Sequence, residues 1–185
     1  MDIQDRSNVM PGWKGDPRQG RNGTPRRDSS VDATDRQILE ILQRDTTMPL
    51  AEVARRVGLS STPCWRRIQK LEEAKVIRAR VALLDGGKIN AGVNVFVSIR
   101  TNQHNDAWLQ RFAAVVSDMP EVVEFYRMSG EVDYLLRVVV PDIAAYDAFY
   151  KRLIAEIELD DVSSSFAMEQ IKYTTTLPLS YVRDT

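Results

Sequence analysis

A group of hydroxyl, amide and cationic side chains between residues 61 and 70 is the part of this sequence best suited to binding another molecule. At about 3.6 residues per turn, its members share one face of a helix. They are Ser61, Thr62, Trp65, Arg66, Gln69 and Lys70. Arginine can bind guanine and glutamine can bind adenine through paired hydrogen bonds, while hydroxyls and free helix N–H groups bind phosphates. The group therefore predicts a helix that enters the major groove of double-stranded DNA.

Three short helices are predicted to position this face. The first begins at the N-cap Asp32 and ends near Asp45, and the second begins at Pro49 and ends at Gly58. The third runs from Ser60 to about Ala74, with Cys64, Ile68 and Leu71 on its apolar face. A three-residue turn between the second and third helices is typical of a helix-turn-helix.

Further cations lie around the third helix. Arg67 belongs to it and Arg55 and Arg56 precede it, and all three are predicted to bind DNA. A period-two stretch over residues 78–84 predicts a wing or hinge strand whose arginines hold the flanking backbone. A merely solvated face is the alternative interpretation of such charges, but their place on the outward side of a helix-turn-helix favours DNA binding.

The second half of the chain predicts six elements in the order β-α-β-β-α-β. The strands are expected over residues 93–99, 122–128, 134–140 and 162 to about 175, and the helices over about 106–118 and 143–157. This order is that of a ferredoxin-like fold, with both helices on one face of an antiparallel sheet. The other face then needs a partner, which predicts a homo-dimer.

The predicted fold class is therefore α+β, with a winged helix-turn-helix followed by a ferredoxin-like domain. The expected divisions are a disordered tail at 1–30, the winged helix-turn-helix at 31–80, a hinge at 81–91 and the ferredoxin-like domain at 92–180.

Composition restricts the classes of function. The 185 residues are 43% hydrophobic and carry a formal net charge of −1, yet residues 32–80 hold more basic than acidic side chains and residues 81–185 hold more acidic ones. This polarity indicates one part that tolerates a polyanion. One cysteine and one histidine exclude an internal disulfide and make a His/Cys zinc site untenable, so no metal or cofactor is expected. No export signal or membrane span is evident, which predicts a cytoplasmic protein.

Three single residues have their own interpretations. Cys64 is predicted to be a small buried hydrophobe rather than a redox sensor. Trp65 has two open interpretations, packing at the domain edge or contact with thymine methyl groups. His104 follows the first strand of the second half and is predicted to be exposed in a loop, with the rim of an effector pocket as the alternative.

The sequence resembles the Lrp/AsnC family of transcriptional regulators. The resemblance rests on LSSTPCWRRIQKLEEAKVI, the following ALLD, SGEVDYLLRVVV and IKYTTTLPL, and it covers about residues 31–180. It implies a winged helix-turn-helix joined to a ligand-sensing domain, assembly as dimers and often as tetramers of dimers, and a response to amino acids.

The resemblance also implies an effector site. The family has a G-x-x-D-Y turn between the second and third strands of the sensing domain, matched here by Gly130, Glu131, Val132, Asp133 and Tyr134. Asp133 can pair with an α-ammonium group, and the Gly130 backbone can approach an α-carboxylate. Met128 and Ser129 would shape the side-chain pocket with residues 165–168. The alternative for Asp133 is a turn-capping role without ligand contact.

Two positions depart from the family pattern. Ser61 stands where the family usually has proline, and Lys75 replaces a usual glycine after the third helix. A left-handed helix end at Lys75 would cost up to about 1 kcal/mol.

The predicted function is a sequence-specific DNA-binding transcriptional regulator, not an enzyme, whose DNA binding is modulated by a small amino acid. The alternative is a decarboxylase of a tetrapyrrole pathway on the same two-domain architecture. It would need acid–base groups lining a large cavity, and His104 is the one histidine in the sequence.

Overall fold

Two separate units make up the part of the chain that the computed structural model describes, which is residues 31–103 and 105–182. One unit contains residues 31–83 together with 171–182, and the other contains residues 84–170. The predicted tail at 1–30 and the predicted exposure of His104 fall outside the described residues.

The first unit contains the three predicted helices, α1 Ala33–Leu42, α2 Leu50–Arg56 and α3 Ser61–Glu73. Asp32 and Asp35 form a capping box at the start of α1, in which the Asp35 N–H donates to Asp32 Oδ1 at 2.8 Å and the Asp32 N–H donates to Asp35 Oδ2 at 3.3 Å. Gly58 follows α2 with a φ of +69°, as a left-handed turn after a helix requires. The helix-turn-helix is therefore confirmed.

Helical periodicity explains the core of this unit. Ile38 of α1, Val53 of α2 and Cys64 of α3 are at most 1% exposed, and they meet in one apolar cluster. The predicted interpretation of Cys64 as a buried hydrophobe is confirmed, and burial raises the pKa of its thiol. Such a thiol carries little of the thiolate that reacts.

The end of α3 adopts the strained backbone that its sequence predicts. Lys75 has a φ of 57°, in the region that favours glycine. Its N–H donates to the Glu72 carbonyl at 3.0 Å, and the Ile77 N–H donates to the Leu71 carbonyl at 3.1 Å. These bonds occupy carbonyls that the helix end would otherwise leave without partners.

The predicted wing strand over residues 78–84 is absent from the described residues. The segment is extended and exposed, with Val81, Leu83 and Leu84 each more than 60% accessible. A strand requires a hydrogen-bonded neighbour, and no other strand of residues 31–103 or 105–182 pairs with this segment. In the described residues the helix-turn-helix therefore lacks the predicted wing.

The second unit is a four-stranded antiparallel sheet with two helices. Its elements are β1 Val93–Arg100, α4 Asp106–Ser117, β2 Val122–Arg127, β3 Tyr134–Val140, α5 Ile143–Glu156 and β4 Asp161–Phe166. The strand order β2-β3-β1-β4 is that of the predicted ferredoxin-like fold. A short 3₁₀ turn, Gly86–Ile89, precedes β1.

Alternation along the strands separates a buried face from an open one. Val95, Val97 and Ile99 of β1 are fully buried, and Leu136 and Val138 of β3 pair within the same layer. Phe112 of α4 and Phe149 of α5 cover that layer in one cluster. The sheet thus has its helices on one side, as the sequence pattern predicts.

The last strand is shorter than predicted. β4 ends at Phe166 rather than near Thr175, although the Ala167 N–H still donates to the Asn94 carbonyl at 2.9 Å. From Ile171 onward the chain belongs to the helical unit, whereas the predicted second domain extends to residue 180. The reason is tertiary: Val182 is hydrogen-bonded to Arg36 of α1, and Leu177 is hydrogen-bonded to Gln43, the C-cap of that helix.

Candidate nucleic-acid interface and ligand-binding turn

The outward face of α3 presents the side chains predicted to meet DNA. Ser61, Thr62, Arg66 and Lys70 are exposed, and Trp65 is 49% exposed. Cys64, Ile68 and Leu71 on the opposite face are at most 5% exposed, which fixes the orientation of the helix. Within the described residues, neither Arg66 nor Lys70 has an ion pair, so both charges are available to a phosphate or a base.

Arg67 differs from the other predicted DNA-binding residues. Its Nη1 lies 2.6 Å from Asp32 Oδ2 and 2.9 Å from Asp35 Oδ1. These two hydrogen bonds raise the pKa of the guanidinium. The pKa of Asp32 is lowered mainly by the Asp35 backbone N–H, and the Arg67 bond to Asp32 lowers it further. Arg67 therefore links α3 to the start of α1, and its engaged guanidinium argues against the predicted DNA contact.

The remaining predicted residues are partly engaged within the chain. Arg55 and Arg56 both hydrogen-bond Glu52 on their own helix, and these bonds lower the pKa of Glu52 to about 2. Gln69 donates to Glu72 Oε2 at 2.9 Å, and Arg80 pairs with Glu72 at 2.8 Å. Exposed pairs of this kind are weak, so a phosphate can compete for the arginines.

The start of α3 is open to an anion. Ser60 is the N-cap and makes no side-chain hydrogen bond to the helix, and Pro63 has no N–H to satisfy. The Ser61 and Thr62 N–H groups point out of a helix end that carries partial positive charge. Although Ser61 stands where the family usually has proline, α3 begins there as a regular helix.

The predicted effector turn joins β2 to β3. Gly130 has a φ of +116°, which glycine adopts without strain. Asp133 accepts a hydrogen bond from the Thr101 N–H at 2.9 Å, donates its own N–H to the Ile99 carbonyl at 3.0 Å, and accepts from the Met128 N–H at 2.8 Å. Asp133 therefore organises the turn, and these hydrogen bonds are compatible with both a capping role and the predicted ligand contact.

The side chains of the turn do not all face the same surroundings. Met128, Ser129, Gly130 and Glu131 are exposed, and Val132 is half-buried. Tyr134 is 4% exposed and packs against Trp108 and Phe112 of α4 and Phe125 of β2, with ring centroids 5.4–5.7 Å away. Burial raises the pKa of its hydroxyl. Tyr134 thus anchors the turn in the core.

Sequence reasoning missed two residues beside this turn. Arg100 at the end of β1 lies 3.6 Å from Glu131, and Thr101 supplies the N–H that holds the Asp133 carboxylate. The alternation along β1 could have placed Arg100 on the open face of the sheet. Its proximity to Glu131 depends on strand pairing.

Among the described residues, no group of His, Cys, Asp and Glu has a metal-binding arrangement. None of the helices there is both long enough and apolar enough to cross a bilayer.

Known proteins match both units. Residues 31–72 match the model of the AsnC-type helix-turn-helix domain, and residues 94–177 match that of the Lrp/AsnC ligand binding domain. The DNA-binding transcriptional activator DecR of Escherichia coli is 51% identical over 150 residues, covering 80% of this chain and 99% of that protein. The Glutamate uptake regulatory protein of Zymomonas mobilis is 47% identical, covering 83% and 94%.

Solved structures of transcriptional regulators are also similar to this chain. An AsnC family transcriptional regulator from Agrobacterium tumefaciens is 71% identical with a TM-score of 0.80, covering 82% of this chain and 99% of its own. A transcriptional regulator from Neisseria meningitidis, solved as a complex with L-Met, is 37% identical with a TM-score of 0.77, covering 82% and 99%.

A helix-turn-helix with an open cationic face, followed by a ligand-binding α/β unit, defines a DNA-binding transcriptional regulator. The chain belongs to the Lrp/AsnC family. The alternative prediction, a tetrapyrrole decarboxylase, receives no support from these relatives, which are named as regulators of transcription or uptake.

Proposed function

We propose that this regulator binds specific DNA sequences through the outward face of α3, and that a small amino acid modulates this binding at the turn of residues 128–134. The observation that carries the first half is the division of α3 into a buried apolar face and an open face bearing Trp65, Arg66 and Lys70. Since a DNA-binding regulator acts on the chromosome, the cytoplasm is its proposed location.

The DNA contact is tested with Arg66→Ala and with Arg44→Ala as a matched control. Arg44 is an exposed arginine after α1, so its loss removes the same charge from another surface. DNA from upstream of the regulator's own gene serves as the probe, and affinity is measured over a salt series. If Arg66 neutralises one phosphate, the slope of log K against log salt should fall by about 0.9. If it contacts a base, discrimination should relax at one position instead. Unchanged affinity, slope and sequence preference in Arg66→Ala would place the DNA-binding surface elsewhere.

The proposed amino-acid control is supported by the geometry of the turn and by the ligand of one relative. Met128 and Ser129 are exposed beside Gly130, whose missing side chain lets a carboxylate approach the backbone. The Asp133 carboxylate accepts a hydrogen bond from the Thr101 N–H, and its negative charge suits an α-ammonium group. The Neisseria meningitidis relative was crystallised with L-Met, so the proposed ligand class is the α-amino acids.

A thermal-shift screen of the twenty amino acids tests this ligand class, because a ligand selective for the folded state raises the melting temperature. Asp133→Ala should abolish the effector response and leave DNA binding intact. Asp133→Asn separates charge from turn geometry, because its amide oxygen can still accept the Thr101 N–H. A ligand contact through the charge predicts that Asp133→Asn also loses the response. A response preserved in Asp133→Asn would leave Asp133 with the capping role alone.

We propose that the chain forms a homo-dimer through the open face of its sheet, with tetramers of dimers as the larger assembly that the family suggests. Phe96 of β1 is 38% exposed and Tyr126 of β2 is 49% exposed, on the side opposite α4 and α5. Between them, Arg137 donates to Glu124 at 2.8 Å and to Asn94 at 2.9 Å. An apolar face with its central charges already paired can be buried at low cost.

Sedimentation of Phe96→Glu against Ile143→Glu tests this interface. Ile143 is 71% exposed at the start of α5, so its substitution adds the same charge on the helix side. Phe96→Glu should shift the population toward monomer, and Ile143→Glu should not. Equal behaviour of the two variants would contradict the proposed interface.

A further inference from the structure

The C-terminal segment of residues 171–182, called here the strap, binds along α1 of the helix-turn-helix unit. Gln43 holds Leu177 through two hydrogen bonds: its Nε2 donates to the Leu177 carbonyl at 3.2 Å, and its Oε1 accepts the Leu177 N–H at 3.0 Å. At the other end of the helix, Arg36 Nη2 donates to the Val182 carbonyl at 3.3 Å. The strap therefore runs along α1 in the opposite direction.

The strap is also part of the core of the helical unit. Val182 packs against the apolar cluster that contains Ile38 and Cys64, after the 3₁₀ turn Leu179–Tyr181. Hydrogen bonds from the Gln43 side chain to the Leu177 backbone at one end, and apolar packing at the other, distinguish a docked segment from a loose terminus. The family match to the ligand binding domain extends to residue 177, yet these contacts belong to the helical unit.

The chain consequently joins its two units twice. One connection follows α3 through residues 74–92, and the other leaves the sheet after Ala167 and reaches the strap at Ile171. The second connection closes a loop of the chain through both units, and closing a loop removes conformational freedom.

The two ends of the second connection are attached to elements with a function. At one end, β4 pairs with β1, and β1 holds the Asp133 turn through Ile99 and Thr101. At the other end, α1 carries the carboxylates that bind Arg67 of the DNA-binding helix. Each of these links is a hydrogen bond, an ion pair or a strand pairing.

We propose that docking of the strap on α1 carries the effect of ligand binding to the DNA-binding helices, in addition to the hinge after α3. The proposal rests on the amino-acid control proposed above. Only a demonstrated coupling between the sites can establish such a route, so the test measures coupling directly.

The test uses the full chain with Gln43→Leu, which removes both hydrogen bonds to Leu177. The matched control is Gln37→Leu, because Gln37 is an exposed glutamine on the same helix with no hydrogen bond to the strap. Gln43→Glu is an intermediate variant that keeps the acceptor for the Leu177 N–H. Hydrogen exchange over residues 175–182 reports docking without any ligand. Loss of two exposed hydrogen bonds should speed exchange there by about fivefold or more, in Gln43→Leu but not in Gln37→Leu.

The second measurement is DNA affinity with and without the amino acid that gives the largest thermal shift in the wild type. The wild type and Gln37→Leu should show a ligand-dependent change of roughly fivefold or more. Gln43→Leu should keep its affinity without ligand and lose most of that change, with Gln43→Glu between them.

Three outcomes would overturn the proposal in distinguishable ways. Unprotected strap amides in the wild type would show that the strap is not docked. Fast exchange in Gln43→Leu together with a full ligand response would show that docking does not transmit the effect. A wild type that binds DNA but responds to none of the twenty amino acids would remove the proposed amino-acid control, and the strap's role with it.

Discussion

Loss of the Arg67 guanidinium should destabilise the helical unit while leaving the electrostatic part of DNA binding unchanged. In Arg67→Ala, the Asp35 carboxylate keeps its place with its side chain only 5% exposed, but it loses the cation 2.9 Å away. The Asp32 carboxylate, which is half-exposed, loses its partner at 2.6 Å. Most of the expected destabilisation comes from Asp35, whose buried carboxylate is left without its charged donor.

The magnitude follows from these exposures. A hydrogen bond to a charged group contributes about 1.5–3 kcal/mol, and a more exposed pair contributes about 0–1 kcal/mol. Water reaches the 35% exposed Arg67 side chain, so the 3–5 kcal/mol typical of a broken buried pair is an upper bound. We expect Arg67→Ala to lower the free energy of unfolding by about 2–3 kcal/mol.

Urea denaturation measures this loss, and a double-mutant cycle with Asp35→Asn assigns it. The two substitutions should be non-additive by about 1 kcal/mol or more, because they remove the same pair. Arg66→Ala is the control: Arg66 is exposed, so its loss should change the free energy of unfolding by less than about 0.5 kcal/mol.

The DNA measurement completes the test. Arg67→Ala should keep the wild-type salt slope of DNA binding, whereas Arg66→Ala should reduce it by about 0.9 if Arg66 binds a phosphate. An Arg67→Ala protein of wild-type stability whose salt slope has fallen by about 0.9 would refute the assignment of Arg67 to the α1–α3 contact. It would restore the DNA-binding role predicted from the sequence.

Three further predictions concern stability and reactivity. Lys75→Gly should raise the free energy of unfolding by up to about 1 kcal/mol because glycine adopts the φ of 57° without strain; an unchanged urea midpoint would contradict this. The pKa of Asp32 is lower in the folded state than its ordinary 3.8, so its stabilising effect is complete above that value and is lost as pH falls through the folded pKa. Asp32→Asn should therefore flatten the acid limb of a stability–pH curve, and an identical limb would count against the capping box. Cys64 should resist a thiol reagent in the native protein and react in denaturant, since burial raises its pKa; rapid native labelling would show that the core opens.

Much of the fold, and the division of α3 into a buried and an exposed face, could be predicted from local pattern. The spacing of Cys64, Ile68 and Leu71 places them on one face of α3, and that face is buried. Alternation along residues 93–100 likewise predicts which side chains of β1 are buried. Such patterns are local because a helix or a strand has a fixed period.

The errors share a different cause. Residues 78–84 alternate as a strand does, but alternation does not supply a pairing partner. Residues 171–175 resemble a continuation of β4, but Leu177 finds its hydrogen bonds on Gln43, 134 positions earlier in the chain. Local pattern also could not show that Arg67 pairs with Asp35, 32 positions earlier in the chain.

The sequence by itself determined the two-part organisation, the order of the elements and which face of each is apolar, because periodicity and turn chemistry act over a few residues. Tertiary structure alone decided which cations pair with carboxylates within the chain, where the last strand ends and which helix the C-terminal segment contacts. Each of these depends on groups that are distant in the chain and adjacent in space, and an ion pair or a hydrogen bond depends on that spatial distance.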